Sequence, residues 1–228
     1  MIAPPLLLTI RRRIIRPDAH VLARFQGAPI SMIADAQRGR GGLDHRIQPI
    51  EPHYAFVGPA VTCWCGAADN LGALAALEIA QAGDVVVIAC DGFDGVGVVG
   101  DRYAGMARNK GLAAIVVDGL VRDRPGIRAA GVPHYARGSH ASSAFSLGPG
   151  EVGLPVAIGG VVIDSGDVLI GDGEGVVVVA QRTIADVLAR LEEVKAAEVR
   201  LDREVADGSK GFRFVAELMQ SERTRYVD

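Results

Sequence analysis

Aromatic side chains are scarce in this 228-residue chain, with Phe, Tyr and Trp at 5% of residues. Hydrophobic residues nonetheless make up 49%, so the core they form is aliphatic, built from Val, Ala, Leu and Ile. Long apolar runs are missing too: none reaches the ~18 residues of a membrane span. The opening stretch MIAPPLLLTI (1–10) is short and Pro-broken, and its positive charges follow the apolar run instead of preceding it, so it does not read as a secretion signal. Cysteine is limited to Cys63, Cys65 and Cys90. An odd number in apolar contexts reads as a reduced, cytoplasmic protein without a disulfide framework. Cys63-Trp64-Cys65 has no second pair and no nearby His with which to hold a metal. Charge of one sign is lacking, with a net charge of −3, so the pattern offers no nucleic-acid surface. The one basic cluster, Arg11–Arg13 with Arg16, is expected at a solvated, partner-facing start of the first helix. Lysine is limited to Lys110, Lys195 and Lys210, each in a helix tail, a charged face or a polar turn, which argues against Schiff-base chemistry. No G-x-S-x-G elbow is present. His20, His45, His53, His134 and His140 show no metal-ligand spacing, and the last two are expected as structural or rim residues.

Glycine is what the chain has in abundance, at 29 residues without a collagen period. PDAHVLARFQG and SMIADAQR carry apolar residues at helical spacing, with Gly27 and Gly39 as stops. FVGPAVTC (56–63), DVVVIAC (84–90) and LAAIVVD (112–118) read as buried strands. They are separated by the helices LGALAALEIAQA, capped by Asp69 or Asn70, and DRYAGMARNK (101–110). This β-α-β-α-β order implies a parallel sheet covered on both faces. VPHYAR (132–137), VAIGGVVI (156–163), DVLIGD (167–172) and GVVVVA (175–180) then follow as strands joined by Gly-rich turns, with no helix of length between them, as an antiparallel or mixed closing portion. Thr183 to Ala206 reads as one long helix with an apolar stripe through Ile184, Val187, Leu188, Leu191, Val194, Val199, Leu201 and Val205. Such a terminal helix is expected to pack on another subunit. The whole of 1–228 is read as one α/β domain with helical arms at both ends.

Gly95, Gly97 and Gly100 spell G-x-G-x-x-G, and Asp118 ends the next strand 18 residues on, as in a dinucleotide-binding unit. A methyltransferase or NAD-type enzyme is therefore one alternative. Against it, DGFD separates the strand end from Gly95, Asp101 stands where a phosphate would sit, and no second mononucleotide half follows. Backbone N–H groups at this helix start suit a small carboxylate equally well. Adjacent parallel strands send their loops to one sheet edge, so Asp101, Arg122 and Asp123 are expected to converge. Asp123 suits a hard divalent cation and Asp101 suits its water ligands. Arg122 suits a carboxylate or a developing oxyanion. Together they fit a chelated 2-oxo acid and enolate chemistry, with Gly97, Gly100, Arg102, Tyr103 and Arg122 around the substrate.

In order, GPAVTCWCGAADN (58–70), AGDVVVIACDG (82–92), GDRYAGMARNKGLAAIVVDGLVRD (100–123), GVPHYARG (131–138) and GGVVIDSGDVLIGDGEGVVVVA (159–180) occur in the chain. Over about residues 15–205 it resembles the family of 4-hydroxy-4-methyl-2-oxoglutarate aldolases, which includes the regulator of ribonuclease activity A. The family's Asp, twenty residues, then Arg-Asp is matched by Asp101 and Arg122-Asp123. The resemblance implies a three-layer α/β/α swivelling-domain sandwich with a mixed sheet, assembled as trimers or hexamers with active sites between subunits. It implies a class II aldolase using Mg²⁺ or Mn²⁺ to cleave a 4-hydroxy-2-oxo acid to pyruvate through an enolate, with oxaloacetate decarboxylation as a side activity. Asp123 would be the protein ligand of the ion, Asp101 would orient water on it, and Arg122 would contact the pyruvyl moiety. Glu198, with Glu193 as the fallback, would reach the site from a neighbour's terminal helix. A non-catalytic regulator is the alternative within the same family. The chain departs from the family at RPGIRAAG after Asp123, at RYAG after Asp101, where Arg102 adds charge, and at RGSHASSAFSLGPGEVG (137–153). These departures bear on which 2-oxo acid is taken. Neither nucleic acid nor membrane is an expected partner.

Overall fold

The computed structural model describes residues 6–227; residues 1–5, half of the first apolar run, and Asp228 lie outside them. The chain starts with β1 (Leu8–Ile10), the short helices α1 (Ala19–Ala23) and α2 (Ile30–Ala36), β2 (Gln48–Pro49) and the long strand β3 (Phe56–Cys65). Then come α3 (Leu71–Ile79), β4 (Val85–Ala89), β5 (Gly97–Val99), α4 (Asp101–Lys110), β6 (Ala114–Val117), β7 (Leu120–Val121) and α5 (Arg124–Ala130). The second half adds β8 (His134–Ala136), β9 (Gly138–Ser139), β10 (Gly150–Val152), β11 (Val156–Ile158), β12 (Val161–Ile163), β13 (Val168–Asp172) and β14 (Gly175–Val179). A 3₁₀ turn (Gln181–Thr183) leads into α6 (Ile184–Ala206), and α7 (Arg213–Met219) follows.

The central sheet is mixed, in the order β1-β10-β3-β4-β6-β8-β2, with β13 joined to β3 and β14 to β13. β3, β4, β6 and β8 are parallel. Every residue of β4 and β6 is buried, which is why both read as unbroken apolar runs and not as alternating ones. One face of the sheet, through Val61, Val86, Ile88, Ile115 and Val117, packs on Ala73 and Ala76 of α3, Ala104 and Ala107 of α4 and Ile127 of α5. The other face, through Val85, Val87, Val116 and Tyr135, meets Leu169, Val176 and Val178 of β13–β14 and Ile158 and Ile163 of the β11–β12 hairpin. The alternate residues of the same ribbon, Val168, Ile170, Val177 and Val179, pack on Ile33 and Ala36 of α2 and on Val187, Leu188 and Leu191 of α6. The period of two along β13 and β14 thus serves two cores. Helices form both outer layers of this mixed α/β fold, and the second helical layer is reached through the β-ribbon.

Several local expectations are revised. The amino-terminal helices are short, and the basic run lies ahead of the first of them. Arg16 does not face solvent as a helix start: its Nε and Nη2 donate to the two oxygens of Asp84 at 2.7 Å each, and the Asp84 side chain is 1% exposed. α5 is a helix the sequence reading missed. Asn70 takes the N-cap position of α3 without a side-chain cap bond, and Asp69 before it accepts from the Leu71 N–H through Oδ1 at 2.7 Å. Lys110 donates to the carbonyls of Leu77 and Glu78 at the end of α3, a structural task. The three cysteines are free and buried. On α6 only Ile184, Val187, Leu188 and Leu191 are buried. Val199, Leu201 and Val205 of the same stripe are exposed, so the outer half of α6 has no packing partner among the described residues.

Candidate active site

After β4 the chain does not enter α4 directly. It loops through Asp91–Val96 and then forms β5, the first strand of a second, parallel sheet in the order β5-β7-β9. Of the glycine stretch, Gly97–Val99 is strand, Gly95 lies in the bend before it and Gly100 is the N-cap of α4. The glycines of the stretch are explained by close approach. A Cβ on Gly97 would lie 2.8 Å from Arg122 Cβ and 3.0 Å from the His140 carbonyl oxygen. A Cβ on Gly100 would lie 2.7 Å from Asp123 Oδ2 and 3.0 Å from Arg122 Cγ. On the other side, a Cβ on Gly126 would meet Asp101 Cβ at 2.5 Å. Three glycines thus let the β5–α4 and β7–α5 junctions interlock, and Asp101, Arg122 and Asp123 come together as the strand order implies.

The junctions are held by main-chain bonds. The Arg122 N–H donates to the Val99 carbonyl at 3.0 Å, and the Asp123 carbonyl accepts from Gly126 and Ile127 at 2.9 and 3.1 Å. Asp123 sits at φ 56°, ψ 42°, as the N-cap of α5. This left-handed conformation costs a non-glycine residue free energy and turns the side chain back toward Gly100. Asp123 Oδ2 is 3.3 Å from Arg122 Nε. Asp101 Oδ1 accepts from the Arg102 N–H at 2.7 Å, leaving Oδ2 without a partner among the described residues. At the start of α4 the Asp101 and Tyr103 N–H groups have no intrahelical acceptor, as in any first helical turn.

A cavity of about 150 Å³ opens here, lined by Val98, Val99, Gly100, Asp101, Arg102, Tyr103 and Arg122, with Asn70, Leu74 and Ser143 on the opposite wall. It holds about five waters at ~30 Å³ each, well below the ~300 Å³ at which pockets for larger ligands begin. Two expected roles change. The Gly97 N–H is already donated to the Ser142 carbonyl at 2.8 Å, so Gly97 cannot offer a free amide, and the amide cradle starts at Gly100. The Tyr103 side chain is buried and its hydroxyl donates to the Ala73 carbonyl at 2.8 Å, which ties α4 to α3. The opposite wall was not foreseen. Asn70 donates to the Val98 carbonyl and accepts from Ser146 Oγ, and Ser143 bridges to Gly97. No local motif encodes that pairing, which depends on where residues 140–147 fold back.

Glu198 and Glu193 do not line the cavity within one chain. His140 is exposed, with Nδ1 accepting from the Ser142 N–H. His134 is fully buried; Nδ1 contacts the Val132 carbonyl at 2.7 Å, and burial pushes its pKa down to about 4. Asp118, the position of a ribose ligand in a dinucleotide unit, is taken by Arg137, whose Nε donates at 2.6 Å.

No group of three His, Cys, Asp or Glu side chains gathers as a metal cage among the described residues. The carboxylates at and next to the cavity nevertheless fit a hard divalent cation that keeps most of its waters. Asp101 lines the cavity and has a free oxygen; Asp123, the expected ligand, is an exposed carboxylate held by its backbone against Arg122 and lies outside the lining; both are oxygen donors of the kind Mg²⁺ and Mn²⁺ select.

These features define a mixed α/β protein with a small, charged cavity at the carboxyl ends of its parallel strands. The chain belongs to the RraA-like family, described as Aldolase/RraA, whose model matches residues 30–178. It is 33% identical over 198 residues to a protein of Halalkalibacterium halodurans named "Putative 4-hydroxy-4-methyl-2-oxoglutarate aldolase", covering 87% of this chain and 94% of that one. Among solved structures, an uncharacterized protein from Pseudomonas syringae pv. tomato matches with a TM-score of 0.74 and 26% identity, over 86% of this chain and 96% of that one. Streptomyces coelicolor RraAS2, described as an unusual member of the RNase ES inhibitor RraA family, matches with a TM-score of 0.72 and 28% identity, over 86% and 99%. No helix among the described residues is long and apolar enough to cross a membrane.

Proposed function

We propose that the chain is a divalent-metal-dependent carbon–carbon lyase that cleaves a 4-hydroxy-2-oxo acid to pyruvate, with oxaloacetate decarboxylation as a side activity. The observation that carries this reading is the interlock of Gly100, Asp101 and Arg122 on the wall of a cavity sized for a small acid, with Asp123 in contact with Arg122 just outside that wall. Asp123, aided by Asp101, would hold Mg²⁺ or Mn²⁺, which supplies Lewis-acid polarisation of the 2-keto group when bound. The chain's own groups do the rest. The Arg122 guanidinium binds the pyruvyl end and takes up negative charge as it grows on the keto oxygen. The N–H groups of Gly100, Asp101 and Tyr103 face the substrate carboxylate at a helix start. Leu74, Val98 and Val99 give the cavity an apolar wall, against which these contacts are less screened by water. Asp101 Oδ2 holds the water through which the C4 hydroxyl proton leaves. The C3–C4 bond then breaks, its electron pair forming the C2–C3 double bond as the keto π pair moves onto oxygen, a carbonyl forms at C4, and the proton taken up by that water returns to C3 to give pyruvate. In this reading the outer half of a neighbouring copy's α6 brings Glu198, or Glu193, to the cavity in a trimer or hexamer. Its exposed stripe at Val199, Leu201 and Val205 supports that placement.

The test is oxaloacetate decarboxylation with Mg²⁺, after EDTA, and in Asp123→Ala, each against an enzyme-free control. Pyruvate release is expected to require the metal and to fall about 100-fold or more in the variant, the loss typical of a key charged group. Release that ignores both chelator and mutation refutes the proposal. The similarity to an RNase ES inhibitor supports a second reading, a ribonuclease regulator, which gains if turnover is absent and the chain co-purifies with a ribonuclease.

A further inference from the structure

A second cavity, of about 580 Å³, opens at the carboxyl ends of β4 and β6 and shares no lining residue with the first. Its volume lies in the ~300–1,000 Å³ range of small-molecule sites, and this edge of a parallel sheet is where α/β folds place ligands. Asp91 follows β4, Asp118 follows β6 and Arg137 follows β8, while Asp94 and Arg46 come from the loops around them. Both guanidinium forks are already committed, so neither is open to an anion. Arg46 donates through Nε and Nη2 to Asp44. Arg137 donates through Nη1 to Asp44 at 3.2 Å and through Nε to Asp118 Oδ1 at 2.6 Å.

The carboxylates are not used up in the same way. The Asp118 side chain is 7% exposed, and its Oδ2 accepts no hydrogen bond among the described residues. Burial pushes its pKa up although Arg137 pulls the other way, as in a buried carboxylate short of positive charge. Asp91 Oδ2 accepts from Trp64 Nε1 at 3.0 Å, which fixes the group and leaves Oδ1 open. Asp94 is exposed and has no side-chain partner among the described residues. With Asp44 behind the arginines, four carboxylates meet two guanidiniums and leave two negative charges; His45, 3.5 Å from Asp44, lies outside the lining. A single metal ion does not fit, because no three His, Cys, Asp or Glu side chains converge among the described residues. A cation with two charged ends does fit carboxylates spread along one wall, and Leu120 and Ala157 offer apolar surface to the methylenes between those ends. We propose that this cavity is a second binding site, for a small aliphatic diamine, with one ammonium group on Asp118 and Asp91 and the other on Asp94 nearer solvent. The inference is independent of the reaction assigned to the first cavity.

Calorimetric titration of the full chain at pH 8 and low salt, without divalent metal, compares 1,4-diaminobutane with 1-aminobutane, of equal chain length but with one ammonium group. The native protein is expected to bind one diamine per chain, about tenfold or more tightly than the monoamine, as one further charge-assisted contact provides. Asp94→Asn keeps the shape of the wall and is expected to lower that ratio to about twofold or less. Asp91→Asn still accepts from Trp64 and is expected to weaken both amines by about fivefold or more. Asp118 is left intact, because Arg137 depends on it. Asp101→Asn, which removes the carboxylate lining the first cavity, is expected to leave diamine binding unchanged. Raising the salt concentration narrows the native ratio, since Asp94 is exposed. A diamine that does not bind, a native ratio near one, a ratio unchanged in Asp94→Asn, or binding lost in Asp101→Asn overturns the inference, the last by placing the amine in the first cavity.

Discussion

The left-handed backbone at Asp123 sets stability and function against one another, and Asp123→Gly measures both. A non-glycine residue in this region carries roughly 1–2 kcal/mol of strain. Glycine relieves it but loses about 0.5–1 kcal/mol through its greater freedom in the unfolded chain. The Arg122–Asp123 contact is 3.3 Å long with side chains 34% and 46% exposed, and a solvent-screened pair of that kind is worth a few tenths of a kcal/mol at most. The expected net is a stabilisation of about 0.5–1 kcal/mol. For a chain of this size that raises Tm by roughly 1–4 °C, measured by differential scanning at fixed protein concentration. Oxaloacetate decarboxylation falls with the carboxylate. Ala68→Gly is the matched control. Ala68 has φ 58°, and its carbonyl still accepts from the Phe145 N–H in the variant, so the same relief is expected with activity retained. A Tm for Asp123→Gly that drops by about 2 °C or more, while Ala68→Gly rises, refutes the view that the Asp123 backbone stores strain for the site.

Two further outcomes follow from the same geometry. Gly100→Ala places a methyl 2.7 Å from Asp123 Oδ2 and 3.0 Å from Arg122 Cγ at φ −143°, which alanine adopts freely; turnover is expected to fall about tenfold or more by misplacing the pair, with Tm nearly unchanged, whereas Gly105→Ala, with nothing within 4 Å, keeps activity and gains about 1 kcal/mol of helix propensity. His134, buried and depressed to about 4, binds its proton more readily when unfolded; its contribution is complete above pH ~6.5 and is lost as pH falls from there toward 4, on the order of 3 kcal/mol in total. Urea unfolding at pH 7.5 and pH 5 tests this as the difference between the native protein and His134→Gln, and an identical pH dependence in both rejects it.

The parallel core was legible because β4 and β6 are buried on both faces and so appear as uninterrupted Val and Ile. Their adjacency was legible from the α-helix between them, and with it the meeting of Asp101 with Arg122-Asp123. The small sheet was not. Gly97–Val99, Leu120–Val121 and Gly138–Ser139 are too short for any period to register, and their pairing is set by partners about twenty residues apart. The glycine fingerprint misled for a related reason: a glycine that admits a phosphate and one that admits a neighbouring arginine backbone look alike in sequence. α5 was hidden by Pro125 and Gly126, residues that ordinarily argue against helix; Pro125 sits in the first turn, where it is tolerated, and Gly126 is required by Asp101. Arg16 looked solvated because its partner, Asp84, lies 68 residues away in sequence.

The three strands that carry the candidate site pair with one another and not with the central sheet. Their ladder is separate from that of the central sheet, while Val98, Val99 and Val121 pack into the same apolar core as Val86, Ile88 and Val117. An opening of β5, β7 and β9 would disperse Asp101, Arg122 and Asp123 and loosen that side of the core while the ladder of the central sheet stayed closed. Amide exchange is then expected to be faster at Val99 and Arg122 than at Val86 or Val116, and a sample that melts cooperatively at its normal temperature can still be one whose site is only part-time in place.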